Sequence, residues 1–463
     1  MEKILVQQMI EDCAATVLGS GRGEIDKIVR DSREVQPGSL FVAIVGENMD
    51  GHKFISKAWE LGAEAVLAQK GNPYVKEDEI PEGKTVLLVE DTVKAMGRIA
   101  ATYKKSLGIR AVAVTGSVGK TSCKDMVAAA LSGGLRTVKT QGNFNNHIGV
   151  PLTIYNFDRT TQAAVIEMGM NHFGEIDYVA DIAKPDYGII TNIGISHIEF
   201  LGSQEGIRKA KLELVPHIQP GGTLFLNGDD PLLYGMKDHL SVNTEYFGFA
   251  EHNDARVLDL SLTPQAHLQL KLAYRGEIYE FVLNTMGRHM AYNALPAIMT
   301  AVHMGLTKEE ILKGLAGYVP TPHRLEVIHT PQYLLLDDTY NASPTSMCSA
   351  LQAMDSIPSP QRRVAILGDM FELGEYAQSG HEEVGRFAAK ESGISVLVCG
   401  GPMARWIYEA AAQREDLERY YFEDVEQMEK NLFTILKKDD IILLKASHSM
   451  HFTEVCERLA KYE

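Results

Sequence analysis

The chain is poor in cysteine and tryptophan, has fewer basic than acidic residues, and lacks long apolar runs. Its five cysteines, Cys13, Cys123, Cys348, Cys399 and Cys456, are odd in number and scattered, with no C-x-x-C pair. That pattern argues against a disulfide framework or a zinc knuckle and leads us to expect a reducing, cytoplasmic setting. No stretch reaches the ~18 apolar residues a spanning helix needs, and the opening MEKILVQQMIEDC places acids where a signal peptide needs an apolar run. Neither export nor an integral membrane segment is expected. Lysine and arginine total 45 against 61 acids, a net charge of −16 that repels a nucleic-acid backbone. Phosphorylated small molecules stay compatible with that charge, because one cleft lined by backbone N–H groups and a lysine can bind them locally.

What is present is enough apolar sequence for several cores. At roughly 150 residues per domain, 463 residues imply about three domains. Up to about residue 88 the short runs SLFVAI, AEAVLA and TVLLVE surround an amphipathic stretch, HKFISKAWELG, which reads as a small α/β domain. RAVAVTGSVGKTSCKDMVAAALSG follows as an apolar strand, a glycine loop and a helix, and AAVIEMG, YGIITNIG and GTLFLNGDD continue the alternation of strands with helical stretches expected of parallel βαβ units. Residues 255–285 alternate apolar and polar and are expected as antiparallel strands appended to that core. Pro320 and Pro322 in GYVPTPHRLEV mark a linker, after which YLLLDDTYNASP, RRVAILGDM, ISVLVCGG and DDIILLKAS repeat the α/β pattern. The expected architecture is therefore α/β in three domains. A small N-terminal domain covers 1–84, a central domain with a mostly parallel P-loop-type sheet covers 85–319, and a C-terminal Rossmann-like domain covers 320–463.

The loop Gly116-Ser117-Val118-Gly119-Lys120-Thr121-Ser122 lies between a strand and a helix. Backbone N–H groups and the positive end of the helix can hold phosphate there, Lys120 adds countercharge, and the Thr121 hydroxyl suits a magnesium ion on the phosphates. The spacing is a short G-x-x-G-K-T, with Val114 where the longer motif has glycine. Glu167 ends AAVIEMG and His197 follows YGIITNIG, at the strand edge where open α/β sheets hold ligands. Both make sense as magnesium ligands, although imidazole is a less usual donor than oxygen to so hard a cation, and His197 alone reads more often as a capping or packing residue. Lys209 and Lys211 fall in the helical stretch SQEGIRKAKLEL and read as a solvated basic face. Asp337 and Asp338 end a strand, so their side chains point opposite ways and at most one faces a ligand. Ser343 and Pro344 follow as N-cap and first residue of a helix.

Taken together, several strings resemble the Mur ligases, the ATP-dependent peptide ligases of bacterial cell-wall synthesis, over nearly the whole chain. DSR followed by PGSLFVAIVGENMDGHKFISKA is similar to their UDP-sugar-binding domain, TGSVGKTS to their P-loop, QGNFNNHIGVPLT to a substrate loop, and IEMGMNHFGEI to a strand carrying a magnesium ligand. SHIEFLGSQEGIRKAK resembles the segment whose histidine binds a second magnesium and whose lysine is carbamylated. DDTYNASPTSM and LGDMFELGE resemble the branch that adds the last amino acids, which implies UDP-N-acetylmuramoyl-tripeptide and D-Ala-D-Ala as substrates, ATP, two magnesium ions and a working monomer. The resemblance implies that Lys120 and the loop amides meet ATP phosphates, and that Thr121, Glu167, His197 and a carbamate on Lys211 hold metal. It further implies that Asn293, Arg324 and Asp338 bind ATP, that Ser32 meets the UDP end, and that Asn145, Asn146 and Asn341 line the peptide end. The sequence departs from the family pattern at His323, where glycine often precedes Arg324, at Met290, and at KASH (445–448) in place of Lys-Gly-Ser-Arg. A related ligase of different substrate and a nucleotide-dependent binding switch are the competing expectations.

Overall fold

In the computed structural model the described residues are 1–46, 48–263, 267–320 and 322–462. Three large sheets follow one another along the chain, and a two-stranded sheet pairs Ile4–Leu5 with Glu24–Ile25 antiparallel.

The first sheet has five strands in the order Thr16–Gly19, Thr85–Val89, Ala65–Gln69, Ser39–Val42, Lys27–Val29, all parallel except the first pair. Thr85–Val89 pairs with Ala65–Gln69 inside this sheet, so the first body extends past the expected boundary at 84. The reason is in the residues: TVLLV is an apolar, β-branched run, and both faces of a parallel strand are buried.

Asp91 then caps the helix Thr92–Leu107 by accepting from the N–H groups of Val93 and Lys94, and Gly108 ends it in the left-handed conformation. Ala95, Met96, Ile99, Ala100 and Tyr103 recur at helical spacing and are all buried. They join Leu40, Leu67 and Leu87 of the first sheet to Ala111, Ala113 and Ile166 of the second in one continuous core.

The central sheet has nine strands. Thr137–Lys139, Ala163–Glu167, Arg110–Thr115, Tyr187–Ile190, Thr223–Asn227, Asn243–Gly248 and Ala255–Leu262 lie side by side in parallel. Leu268–Tyr274 and Glu277–Leu283 then extend it antiparallel, as the alternating pattern of 255–285 implies. The helices His289–His303 and Lys308–Ala316 pack against the helix Lys120–Ser132 on one face of this sheet.

The third sheet runs Glu326–His329, Tyr333–Asp337, Asp440–Lys445, Arg363–Gly368, Val396–Gly400, Glu418–Phe422, parallel except at the first pair. Ser343 caps the helix Pro344–Asp355 in a capping box with Ser346, and Pro344 takes its first position. Among the described residues, no helix is long and apolar enough to cross a membrane.

Because Ile99 is 1% exposed within the core shared by two sheets, Ile99→Ala is expected to destabilise the protein by about 2–5 kcal/mol. Denaturant unfolding followed by tryptophan-independent circular dichroism is the measurement; a loss below about 0.5 kcal/mol would contradict a joint core.

Candidate active site

The phosphate loop sits where the strand order of the central sheet changes direction. Arg110–Thr115 lies between Ala163–Glu167 and Tyr187–Ile190, and the C-terminal ends of all three open into one cleft. That cleft has a volume of about 1250 Å³ and is lined from the central and third bodies.

The loop is held from below by the turn after Tyr187–Ile190. Asn192 accepts from Val118 N–H at 3.0 Å through its side chain and from Ser117 N–H at 3.1 Å through its carbonyl. Thr191 Oγ1 donates to the Val118 carbonyl at 2.6 Å, and Gly194 N–H donates to Ser117 Oγ at 2.8 Å. Gly116 has φ +151° with Thr191 where a Cβ would stand, and Gly119 has φ +82°. Both glycines are thus required by the backbone. Gly119 starts the helix Lys120–Ser132 with no side-chain cap, so the first N–H groups of that helix are free for an anion.

Lys120 Nζ donates to the carbonyls of Gly116 and Ser117 at 2.8 and 3.2 Å. Burial pushes its pKa down, opposed by the nearby Glu167 carboxylate. Glu167 is 2% exposed. Its Oε1 accepts from Asn145 Nδ2 at 2.9 Å and Thr121 Oγ1 at 3.3 Å, while its Oε2 is buried without a hydrogen-bond donor, 3.7 Å from Lys124 Nζ. A buried carboxylate oxygen in that condition is costly unless a cation or donor completes it.

Arg324 enters from the third body. Its guanidinium lies 4.0 Å over the Tyr340 ring, and Nη2 is 3.4 Å from Thr121 Oγ1; among the described residues its buried Nε has no hydrogen-bond partner. Asp338 pairs with Lys445 at 2.6 Å, while Asp337 turns inward to Thr339 and His323. The two aspartates diverge as the strand geometry requires, and Asp338 is the one lining the cleft.

Lys211 overturns the expectation of a solvated basic face. Only Lys209 keeps that role, 5.7 Å from the Phe173 ring; Lys211 is 2% exposed at the end of the helix Gln204–Leu212. Burial drives its pKa well below the ordinary lysine value, and the charge of Lys120 lowers it further. Two residues separate the two lysines by about 200° around a helix of ~3.6 residues per turn, so one faces out and the other in.

His197 begins the short helix Ile198–Leu201 with φ +62°. Its Nδ1 lies 3.0 Å from Glu372 Oε2 of the third body, an ion-pair distance without hydrogen-bond alignment. The imidazole holds the Glu372 carboxyl below its ordinary range. Asn293 is buried beside the turn at Gly119. Asn146 spends its Oδ1 on capping Gly149–Ile154, and Asn341 Oδ1 accepts from Ala342 N–H.

Of the residues singled out in the sequence, Ser117 through Ser122, Asn145, Asn146, Glu167, His197, Asn293, Arg324, Asp338 and Asn341 line the cleft. Gly116 and Lys211 are not among the lining residues, and Ser32 lies in the first body, in the turn Ser32–Glu34. Lys124, Asn192, Tyr340, Glu372 and Lys445 were not anticipated. Lys124 had a signal, since it stands one helical turn from Lys120 and shares its face; Glu372 falls in the quoted string LGDMFELGE, but its contact with His197 joins distant parts of the chain and could not be read from it.

The chain matches the Mur ligase catalytic domain over residues 24–104, the Mur ligase middle domain over 114–301 and the Mur ligase glutamate ligase domain over 323–448. It belongs to the Mur ligase family. It is 38% identical over 443 residues to the UDP-N-acetylmuramoyl-tripeptide–D-alanyl-D-alanine ligase of Bacillus subtilis, covering 94% of this chain and 93% of that protein. The fold is similar to crystal structure I of MurF from Acinetobacter baumannii, with TM-score 0.90, 29% identity and full coverage of both chains. It is also similar to the MurF ligase of Thermotoga maritima in complex with ADP, with TM-score 0.83, 28% identity, and coverage of 94% and 97%.

Gly116→Ala must push Thr191 away or distort the loop, so nucleotide affinity is expected to fall about 10- to 100-fold at 1–3 kcal/mol of strain. Titration calorimetry with ADP reads this directly, and unchanged affinity would place the nucleotide elsewhere.

Proposed function

We propose that the chain is an ATP-dependent, ADP-forming ligase that joins D-Ala-D-Ala to UDP-N-acetylmuramoyl-tripeptide in peptidoglycan precursor synthesis. The observation that carries this reading is the uncapped helix start with Lys120 above it, facing a buried Glu167 oxygen that has no donor. Relatives along the full length carry that activity in their names.

The tripeptide's terminal carboxylate attacks the γ-phosphorus of ATP, forming an acyl C–O–P bond as the bond to ADP breaks. The amine of D-Ala-D-Ala then attacks the acyl carbon; the C–N bond forms, phosphate leaves with the C–O electron pair, and the amine loses a proton. Lys120 and the loop amides bind the β- and γ-phosphates and neutralise charge as it develops, so positioning and electrostatics supply most of the acceleration. Arg324 adds a second cation from the third body, and Asp338 and Asn293 hold the nucleotide. Ser32 holds the UDP end, and Asn145, Asn146 and Asn341 line the peptide end.

Thr121 and Glu167 offer the oxygen donors that magnesium prefers, and the unpartnered Oε2 of Glu167 fits such an ion. His197 and a carbamate on Lys211 complete a second magnesium site. Magnesium, when bound, offsets the negative charge of the phosphates. Burial and the charge of Lys120 favour the neutral amine of Lys211, the form that adds CO₂, and a carbamate there would be an anion in place of that amine.

The UDP end, the phosphate site and a closing lobe are assigned to the bodies 1–84, 85–319 and 320–463, with the first sheet carried on to Val89. Five free cysteines suit a cytoplasmic setting.

Phosphate release is expected only when UDP-N-acetylmuramoyl-tripeptide and D-Ala-D-Ala are both present, with lysine- and diaminopimelate-containing tripeptides compared side by side. Slow release indifferent to both would identify a nucleotide switch instead. Lys211→Ala is expected to lose nearly all turnover while still binding ADP, and intact mass measured in bicarbonate should show one CO₂ on the wild type and none on the variant; full turnover in that variant removes Lys211 from the reaction.

A further inference from the structure

We propose that His323 is a positioning residue for Arg324, fastening the segment His323-Arg324-Leu325 to the third body so that the guanidinium arrives at the phosphate loop already oriented. The inference rests on Arg324 meeting the ATP phosphates.

Arg324 is flanked by two non-glycine residues in the left-handed region, His323 at φ +61° and Leu325 at φ +52°. Side chains other than glycine are strained in that region, so the surroundings must hold them there. They do so from one side. His323 Nδ1 lies 2.7 Å from Asp337 Oδ2, and Asp337, 2% exposed, is itself fixed by the N–H and hydroxyl of Thr339 at 3.1 and 2.7 Å. The His323 N–H donates to Glu326 Oε2 at 3.1 Å, and its carbonyl accepts from Tyr340 N–H at 3.2 Å. Beyond the arginine, Leu325 N–H donates to Asp338 Oδ1 at 3.2 Å, and Lys445 holds that carboxylate.

Among the described residues, these bonds all run to the third body. Within this segment the Arg324 side chain is the part that reaches out of the third body, stacked on Tyr340 at its base and 3.4 Å from Thr121 at its tip. The place to pivot is therefore before His323, near Val319, which is 76% exposed. His323, Glu326 and Asp337 also bring three potential metal ligands within 4.8 Å of one another. Their donors and acceptors already face each other through the imidazole and its own N–H, which makes the trio a closed clasp.

The ring contributes something the backbone does not. Glycine adopts the same φ without strain but leaves Asp337 Oδ2 without its donor and the segment free to turn. Asparagine tolerates the left-handed region and carries Nδ2 the same number of bonds from Cα as Nδ1 of histidine. These two variants separate the ring's bond from the backbone's shape.

The test is steady-state kinetics of the full-length enzyme with ATP varied, for wild type, H323G, H323N, R324A and H323G/R324A, with melting midpoints taken alongside. H323G is expected to raise the KM for ATP about tenfold, equivalent to about 1.4 kcal/mol, with the KM for the dipeptide unchanged. H323N should recover most of that loss, and H323G should add nothing once Arg324 is gone. An ATP KM within twofold of wild type in H323G, a lowered melting midpoint as its only effect, or an equal loss in the R324A background would overturn the proposal. An R324A enzyme with unchanged KM for ATP would instead overturn the placement of Arg324 at the phosphates, and the proposal with it.

Discussion

Charge without a partner is the constraint on which the rest of this molecule depends. Lys120 rests on carbonyls, and among the described residues Glu167 keeps a buried oxygen without a hydrogen-bond donor, with Lys124 Nζ 3.7 Å away, and Arg324 a buried Nε without a partner, while Lys211 is buried with its pKa driven down. A protein interior tolerates such groups only where something else completes them, because each would otherwise cost several kcal/mol. Distributed over three strand ends and two bodies, they outline an anionic ligand accompanied by cations. The arrangement is too expensive to serve packing.

The surrounding fold exists to hold those groups still. The loop before Lys120 is tied to Asn192 by paired bonds in both directions, and the parallel register sets Glu167 beside Val114, one strand over from the loop. Groups fixed by neighbouring strands need no rearrangement when charge develops, which is how a preorganised site lowers a barrier. The third body meets the central one through Arg324 at Thr121, through Glu372 near His197, and through an apolar cluster in which Met286, Ile195 and Leu262 pack with its own core.

Much of this was readable before any coordinates. Periodicity separated strands from helices, the glycine-lysine-threonine loop announced itself by its position between them, and Ser343-Pro344 marked a helix start. Local signals of that kind arise from backbone sterics and capping, which a few adjacent residues determine. What escaped depended on distance. Lys211 looked like its exposed neighbour Lys209, because a 9-residue helix with three basic residues gives no indication of which one turns inward. Glu372 and Tyr340 matter only through partners from other parts of the chain. Thr85–Val89 went to the neighbouring domain in the boundary drawn at 84, since strand pairing, which decides it, is a long-range fact.

The helix Thr92–Leu107 has one more consequence. Its buried face welds the first two sheets into a single core running from Leu40 to Ile166, so the turn at Ser32 and the phosphate loop stand at a fixed span. A rigid span would act as a caliper: under the proposed seating of the UDP end in the first body, a precursor would present its reactive carboxylate to the loop only if its stem had the right length. Discrimination between shorter and longer stems then needs no side chain that reads the stem itself.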